Sequence, residues 1–196
     1  MSYNITVEPT VEPVTLAEAR VHLKNDDESY DDTYITNLIV SARKLCEKYC
    51  NRVFITQTWQ QNENGFGSYI DLEVNKVQSV TSITYIDQDE ASQTLSTSNY
   101  QVDLLADTCR IYEGVSAGFP SVSTSTINPV TITYVCGYGL AVSVPQDIKQ
   151  AIFLMISHLY ENREGVIVPV GGFVNQIPMP KAVRDILGFY RVKHFG

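Results

Sequence analysis

Positive charge is scarce in this sequence. It has 14 Lys and Arg against 22 Asp and Glu, a formal net charge of −8. A protein that seizes nucleic acid from solution draws most of its affinity from phosphate contacts, and those need bases. DNA is therefore not expected as a tightly held ligand. Long apolar runs are also missing. No stretch of about 18 apolar residues occurs, so no segment reads as membrane-spanning. The opening MSYNITVEPTVEP has neither the positive n-region nor the apolar h-region of a secretory leader, so synthesis in a cytoplasm is expected, with the four cysteines reduced. The three histidines, His22, His158 and His194, are scattered. Gly-x-Ser-x-Gly, His-Glu-x-x-His and Walker sequences are absent, and no catalytic role is assigned.

What is present is a folded chain with two hydrophobic periods. Apolar residues make up 44% and charged residues 18%, which places it among globular proteins. Residues 1–14, with Val alternating with polar groups and with Pro9 and Pro13, read as an extended arm. Thr15-Leu16-Ala17-Glu18 matches a capping box, opening a short helix to about Lys24. After the acidic linker Asn25 to Ser29, Ile35, Leu38, Ile39, Ala42, Leu45, Cys46 and Tyr49 recur at steps of three and four. They predict a helix from Asp32 to Cys50. Arg43, Lys44, Lys48 and Arg52 suit its later turns, near the negative end of the dipole.

The period then becomes two. Runs from Val53 to Trp59, Ile70 to Val74, Val80 to Ile86, Tyr100 to Leu104, Cys109 to Tyr112 and Val130 to Cys136 predict short antiparallel strands with one wet face. Helix returns at Pro145 and runs to Glu164, carrying Ile148, Ala151, Ile152, Met155, Ile156 and Leu159. Pro180 opens a last helix with Val183, Ile186, Leu187 and Tyr190 on one side. The expected fold class is α+β. In it a helical core built from residues 15–52 and 145–196 carries an antiparallel β insertion, residues 53–144. Leu38, Leu45, Ile152 and Ile156 are expected inside that core.

Several clusters invite a chemical reading, and each has a plainer one. Cys46 and Cys50 share a helix face but lack a second ligand pair, so they read as buried thiols. The acids from Asp26 to Asp32 lack the alternating oxygen ligands of a calcium loop and read as a solvated linker with helix-start carboxylates. Asp87, Asp89 and Glu90 read as a hairpin tip. Gly137-Tyr138-Gly139 lacks the lysine of a phosphate loop. Glu161 to Glu164 read as a charged helix end with internal pairs. No metal, cofactor or catalytic residue is expected.

The order of these features carries more than any one of them. Pro13-Val14-Thr15-Leu16-Ala17-Glu18-Ala19 through His22-Leu23, the acidic linker and the helix from Tyr34 to Asn51-Arg52 resemble the head–tail connector (adaptor, or head-completion) family of long-tailed phages. Val130 to Gly139, Val144-Pro145, Ile148 to Ile152 and His158 to Glu164 resemble the second half of that family. The resemblance implies a structural virion subunit at the head–tail junction, without catalysis. It implies a homo-oligomeric ring of about a dozen copies, twelve being the expected number. Its implied partners are the portal protein above and a tail or stopper (tail-terminator) protein below, with DNA passing through the channel and no membrane contact.

Two candidate contact sites follow. The last helix and tail are the net-positive stretch, and Lys181, Arg184, Ile186, Leu187, Tyr190, Arg191 and Lys193 are expected to dock on the portal. In the apolar segment from Val166 to Met179, Val168, Val170, Phe173, Val174 and Ile177 are expected to meet a neighbouring subunit or partner, because a monomer gains little from exposing them. The alternative reading is a β-rich protein- or glycan-binding module of a virion or cell surface, acting through exposed Tyr69, Tyr85 and Tyr112.

Overall fold

Thr15 caps its helix in the way its sequence context demands. The Glu18 amide donates to Thr15 Oγ1 at 3.2 Å, and the Glu18 carboxylate accepts from the Thr15 amide at 2.7 Å. Helix α1 (Leu16–Leu23) ends at Lys24, which turns left-handed at φ 55°. The structure, a computed structural model, describes residues 2–24, 31–106, 108–115, 118–163, 166–167, 175–176 and 178–192. The acidic linker, residues 25–29, therefore lies outside the described residues.

The chain forms two compact units, one of residues 1–10, 52–138 and 192–196, the other of residues 11–51 and 139–191. The second unit holds α1, α2 (Asp32–Cys50), α3 (Gln146–Glu161) and α4 (Lys181–Gly188), together with the two-residue strands Val166–Ile167 and Asn175–Gln176, which pair antiparallel. Helix α2 packs on α1, α3 and α4. Its buried stripe is Ile35, Leu38, Ile39, Ala42, Arg43, Cys46 and Cys50. Leu45, expected inside, is 39% exposed. It is one residue from Cys46 and so about 100° around the helix from it, whereas Arg43 is only about 60° away.

The first unit is β-rich. Strands β1 (Ser2–Val7), β2 (Gln57–Glu63), β4 (Val77–Ile86), β5 (Ser92–Thr94) and β8 (Val130–Cys136) form one antiparallel sheet in the order β1-β2-β8-β4-β5. Strands β3 (Tyr69–Asp71), β6 (Tyr100–Asp103) and β7 (Arg110–Glu113) form a second, in the order β3-β7-β6. Ile70, Ile83, Ile111, Ile132 and Tyr134 meet in a hydrophobic core belonging to this unit alone. Gln61 ties the two sheets together inside it. Its amide nitrogen donates to the Asp71 carbonyl at 2.8 Å and to the Glu63 carboxylate at 2.7 Å. Its oxygen accepts from the Glu73 amide at 3.0 Å and from the Tyr134 hydroxyl at 3.3 Å. Gly137, at φ 120°, brings the chain against Ile55, where a Cβ would stand 2.5 Å from the Ile55 carbonyl carbon.

These findings correct the expected architecture. A helical core made by the chain's two ends, with a β insertion between them, is not what is found. The β-rich unit has its own core, its larger sheet begins at Ser2, and the strands divide between two sheets. The reason is non-local pairing. Ser2 lies opposite Asn62, and nothing near Ser2 in sequence signals a partner that far along the chain.

The Asp87 hairpin tip is found where it was expected, between β4 and β5. Asp87 accepts from the Ala91 and Asp89 amides and from the Gln93 side chain. Glu90, left-handed at φ 61°, accepts from the hydroxyls of Ser123 (2.8 Å), Ser125 (2.9 Å) and Thr126 (2.8 Å). The Ser123 hydroxyl, followed by those of Thr126 and Ser125, holds the Glu90 carboxyl below its ordinary 4.5. A carboxyl lowered by folding contributes stability above its unfolded pKa and loses it as pH falls through the folded one. The 123–126 loop should therefore loosen as the solution is acidified below about 4.5, seen as faster exchange of the Ser125 and Thr126 amides. Glu90→Gln should abolish that pH step, and a step unchanged in the variant would show that another group controls the loop.

Candidate functional site

The last helix divides its residues sharply between two sides. Pro180 sets its start, and Val183 and Leu187, four apart, are fully buried, with Ile186 half-buried beside them. The Leu187 carbonyl accepts a weak hydrogen bond from the Cys50 thiol at 3.8 Å. Leu187 thus serves its own unit. Lys181 and Arg184 are exposed, and Lys181 pairs with Asp185 at 2.6 Å across one helical turn. Just past the helix, the Tyr190 hydroxyl donates to Asp147 at 3.3 Å, and the Arg191 guanidinium lies 5.2 Å over the Tyr49 ring. Lys193 lies outside the described residues, as do Val168, Val170, Phe173, Val174 and Ile177. The expected docking set is therefore split: an outward basic side with Lys181 and Arg184, an inward side with Leu187, and two residues engaged at the helix end.

Sequence reasoning missed Phe189, which is 92% exposed. The signal was available, since at about 100° per residue Phe189 falls roughly 200° from Leu187 and thus off the apolar stripe. It also missed the function of Asp31. Rather than capping α2, Asp31 accepts from the Tyr160 hydroxyl at 2.6 Å and pairs with Arg163 at 3.5 Å. Arg163 in turn lies 4.5 Å over Tyr34 and 5.2 Å over Tyr160. This knot joins the start of α2 to the end of α3. Arg163 thus pairs across to α2, outside its own helix end. Asp32 pairs with Arg20 of α1.

The aromatic patch of the alternative reading is smaller than expected. Tyr69 and Tyr112 lie opposite each other on β3 and β7, with ring centroids 5.9 Å apart, and are partly exposed. Arg110 covers Tyr69 at 5.0 Å and is held by Asp71 at 2.7 Å. Tyr85 packs edge-on against Phe66 at 5.8 Å. Two tyrosines tilted against each other, one of them covered by arginine, offer little open ring face to a sugar. A nearby concavity lined by Arg52, Lys76, Val77, Leu104, Leu105, Ala106 and Cys109 holds about 230 Å³, below the usual range of small-molecule pockets.

The four cysteines are buried, and none is in a disulfide. Burial pushes the thiols of Cys46 and Cys109 up to about 12, so neither is a thiolate at neutral pH. Among the described residues no group of His, Cys, Asp and Glu is placed to hold a metal ion, and no helix is long and apolar enough to cross a membrane.

A family model described as head completion protein matches residues 14–193. No curated protein matches the chain in sequence. Solved structures similar to it include a chain in the neck of an empty gene transfer agent particle computed with C6 symmetry. Its TM-score is 0.78 at 22% identity, over 100% of this chain and 98% of that one. A chain in the virion of a native gene transfer agent particle gives 0.76 at 20% identity, and one in a native neck computed with C12 symmetry gives 0.72 at 21%. Both have the same coverage.

Proposed function

The chain belongs to the head completion protein family, and on that premise we propose that it is a structural subunit of the head–tail junction, forming a ring below the portal that extends the DNA channel. The family match over residues 14–193 carries this reading. Full-length likeness to chains of particle necks computed with sixfold and twelvefold symmetry supports a ring of twelve copies. The net charge of −8 supports a channel along which DNA slides without sticking. The partners in this reading are the portal on one side, a stopper or tail-terminator protein on the other, and further copies of the chain alongside.

The outward side of α4 is the portal-docking element in this proposal. Lys181, Arg184 and Phe189 supply a basic rim beside an exposed aromatic, and such rims steer association toward acidic surfaces. Val168, Val170, Phe173, Val174 and Ile177 face a neighbouring subunit. Electron microscopy of the protein mixed with its portal tests both. The expected result is a cyclic assembly seated on the portal, with α4 at the portal face and residues 166–179 at the subunit boundary. Lys181→Glu with Arg184→Glu should weaken seating on the order of tenfold at low salt while leaving the melt unchanged. A bare portal beside monomers would refute the ring. Undiminished seating of the charge-reversed variant would place docking elsewhere.

A further inference from the structure

The larger sheet has two open edges, and they fit each other. Strand β1 has β2 on one side and, among the described residues, no strand on the other. At the far edge β5 covers β4 only at Thr84–Ile86, and the Leu95 amide reaches as far as the Ile83 carbonyl at 2.8 Å. Residues 77–82 of β4 thus have β8 on one side and, among the described residues, no strand on the other. The two open stretches have the same length. β1 has six residues, Ser2–Val7, and residues 77–82 are six more, each spanning about 20 Å.

Their chemistry is unusual for open edges. Exposed edges are ordinarily guarded by charge or proline. Here the sequences are Ser-Tyr-Asn-Ile-Thr-Val and Val-Gln-Ser-Val-Thr-Ser, with neither. β1 is mostly exposed, and within residues 77–82 Gln78, Ser79 and Thr81 are exposed, the others partly buried. Both also carry register shifts, between Ile5 and Val7 in β1 and at Val77/Ser79 and Val80/Ser82 in β4. Such bulges twist a strand, which discourages flat, indefinite stacking but leaves amides and carbonyls able to pair.

Direction is the third match. Strands β1, β2, β8 and β4 alternate, so β4 runs opposite to β1. A second copy placed alongside in the same sense presents a β1 antiparallel to this β4, in line with β5. We propose that β1 of one copy pairs with residues 77–82 of the next, making the five-stranded sheets of neighbouring subunits continuous. The contact is heterologous, one edge meeting a different edge, which is the kind that closes into a ring. The occupant is a second copy of this chain, and the proposal rests on the ring reading above.

Cysteine cross-linking tests it. Asn4→Cys is combined in turn with Ser79→Cys, Val80→Cys and Thr81→Cys. Within one copy these positions lie three strand spacings apart, about 14 Å, too far for a disulfide, whose Cα atoms come within about 7 Å. Any bond between them must join two copies. The expected result is a reducible ladder of multimers from at least one double variant, and dimers only when the two single variants are mixed. In the unmodified protein, amide exchange should slow together in residues 2–7 and 77–82 on assembly. A sedimenting ring with no cross-link in any pair and no new protection would overturn the edge pairing while leaving the ring intact. A chain that stays monomeric at high concentration and on its portal, without cross-links, would overturn both.

Discussion

Arg43→Ala is expected to lower the free energy of unfolding by about 3–5 kcal/mol, because it withdraws the guanidinium that two carboxylates share in a largely dry site. The Arg43 side chain is 2% exposed. Its Nε donates to Glu12 at 2.7 Å, one terminal nitrogen to the other Glu12 oxygen at 3.2 Å, and the second terminal nitrogen to Glu47 at 2.8 Å. The fork geometry is what a guanidinium supplies and an ammonium does not, so Arg43→Lys should recover only part of the loss. Replacing the three residues together, with Met at 43 and Gln at 12 and 47, should be far milder than the single truncation. That difference separates the burden of unpaired charge from the loss of attraction. Urea denaturation of the variants measures it. A loss below about 1 kcal/mol for Arg43→Ala would mean that water reaches the carboxylates and solvates them.

Ile152→Ala should be nearly as severe, at roughly 2–5 kcal/mol. Ile152 is fully buried, as are Ile148, Ala151 and Ile156 on the same helix. That helix touches α1, α2 and α4, so the methyl groups removed leave a space bounded by several elements that cannot all close on it. A loss under about half a kcal/mol would show that the helices repack freely around the site. The exposed Leu45→Ala is the natural comparison and should cost much less, since little apolar area returns to water there.

Leu45 and Arg43 also show what a sequence can and cannot convey. The helix from Asp32 to Cys50 was legible to the residue, because its apolar stripe and its boundaries are local. Which side of the stripe was deepest was not, because that depends on partners elsewhere. Arg43 read as a base suited to a helix C-terminus, and nothing local announced that Glu12, thirty-one residues earlier, joins Glu47 in holding it buried. The Thr15 capping box, the Asp87 hairpin tip and most β strands were readable for the same local reason. Strand β1 was not, nor the division of the strands between two sheets, because antiparallel pairing over long separations leaves no periodic trace at either end.

At the candidate site the same distinction holds. The basic character of residues 181–191 was plain in the sequence. The inward turn of Leu187 depends on α2 and α3, and the exposure of Phe189 becomes a finding only once Val183 and Leu187 are known to fix the helix's rotation.

Strand β2 raises a question of identity more than of strength. Its sequence, Gln-Thr-Trp-Gln-Gln-Asn-Glu, has a single large apolar residue, yet it lies between β1 and β8 inside the sheet. Alternating hydrophobics, which ordinarily forbid a strand from sliding along its neighbour, are absent there. Gln61 takes over that task. A displacement by one residue would turn its amide to the opposite face, and by two would move it away from the Asp71 carbonyl, the Glu73 amide and the Tyr134 hydroxyl together. Each misaligned state then strands several polar atoms in a dry interior, so one neutral side chain discriminates the correct alignment from its competitors during folding.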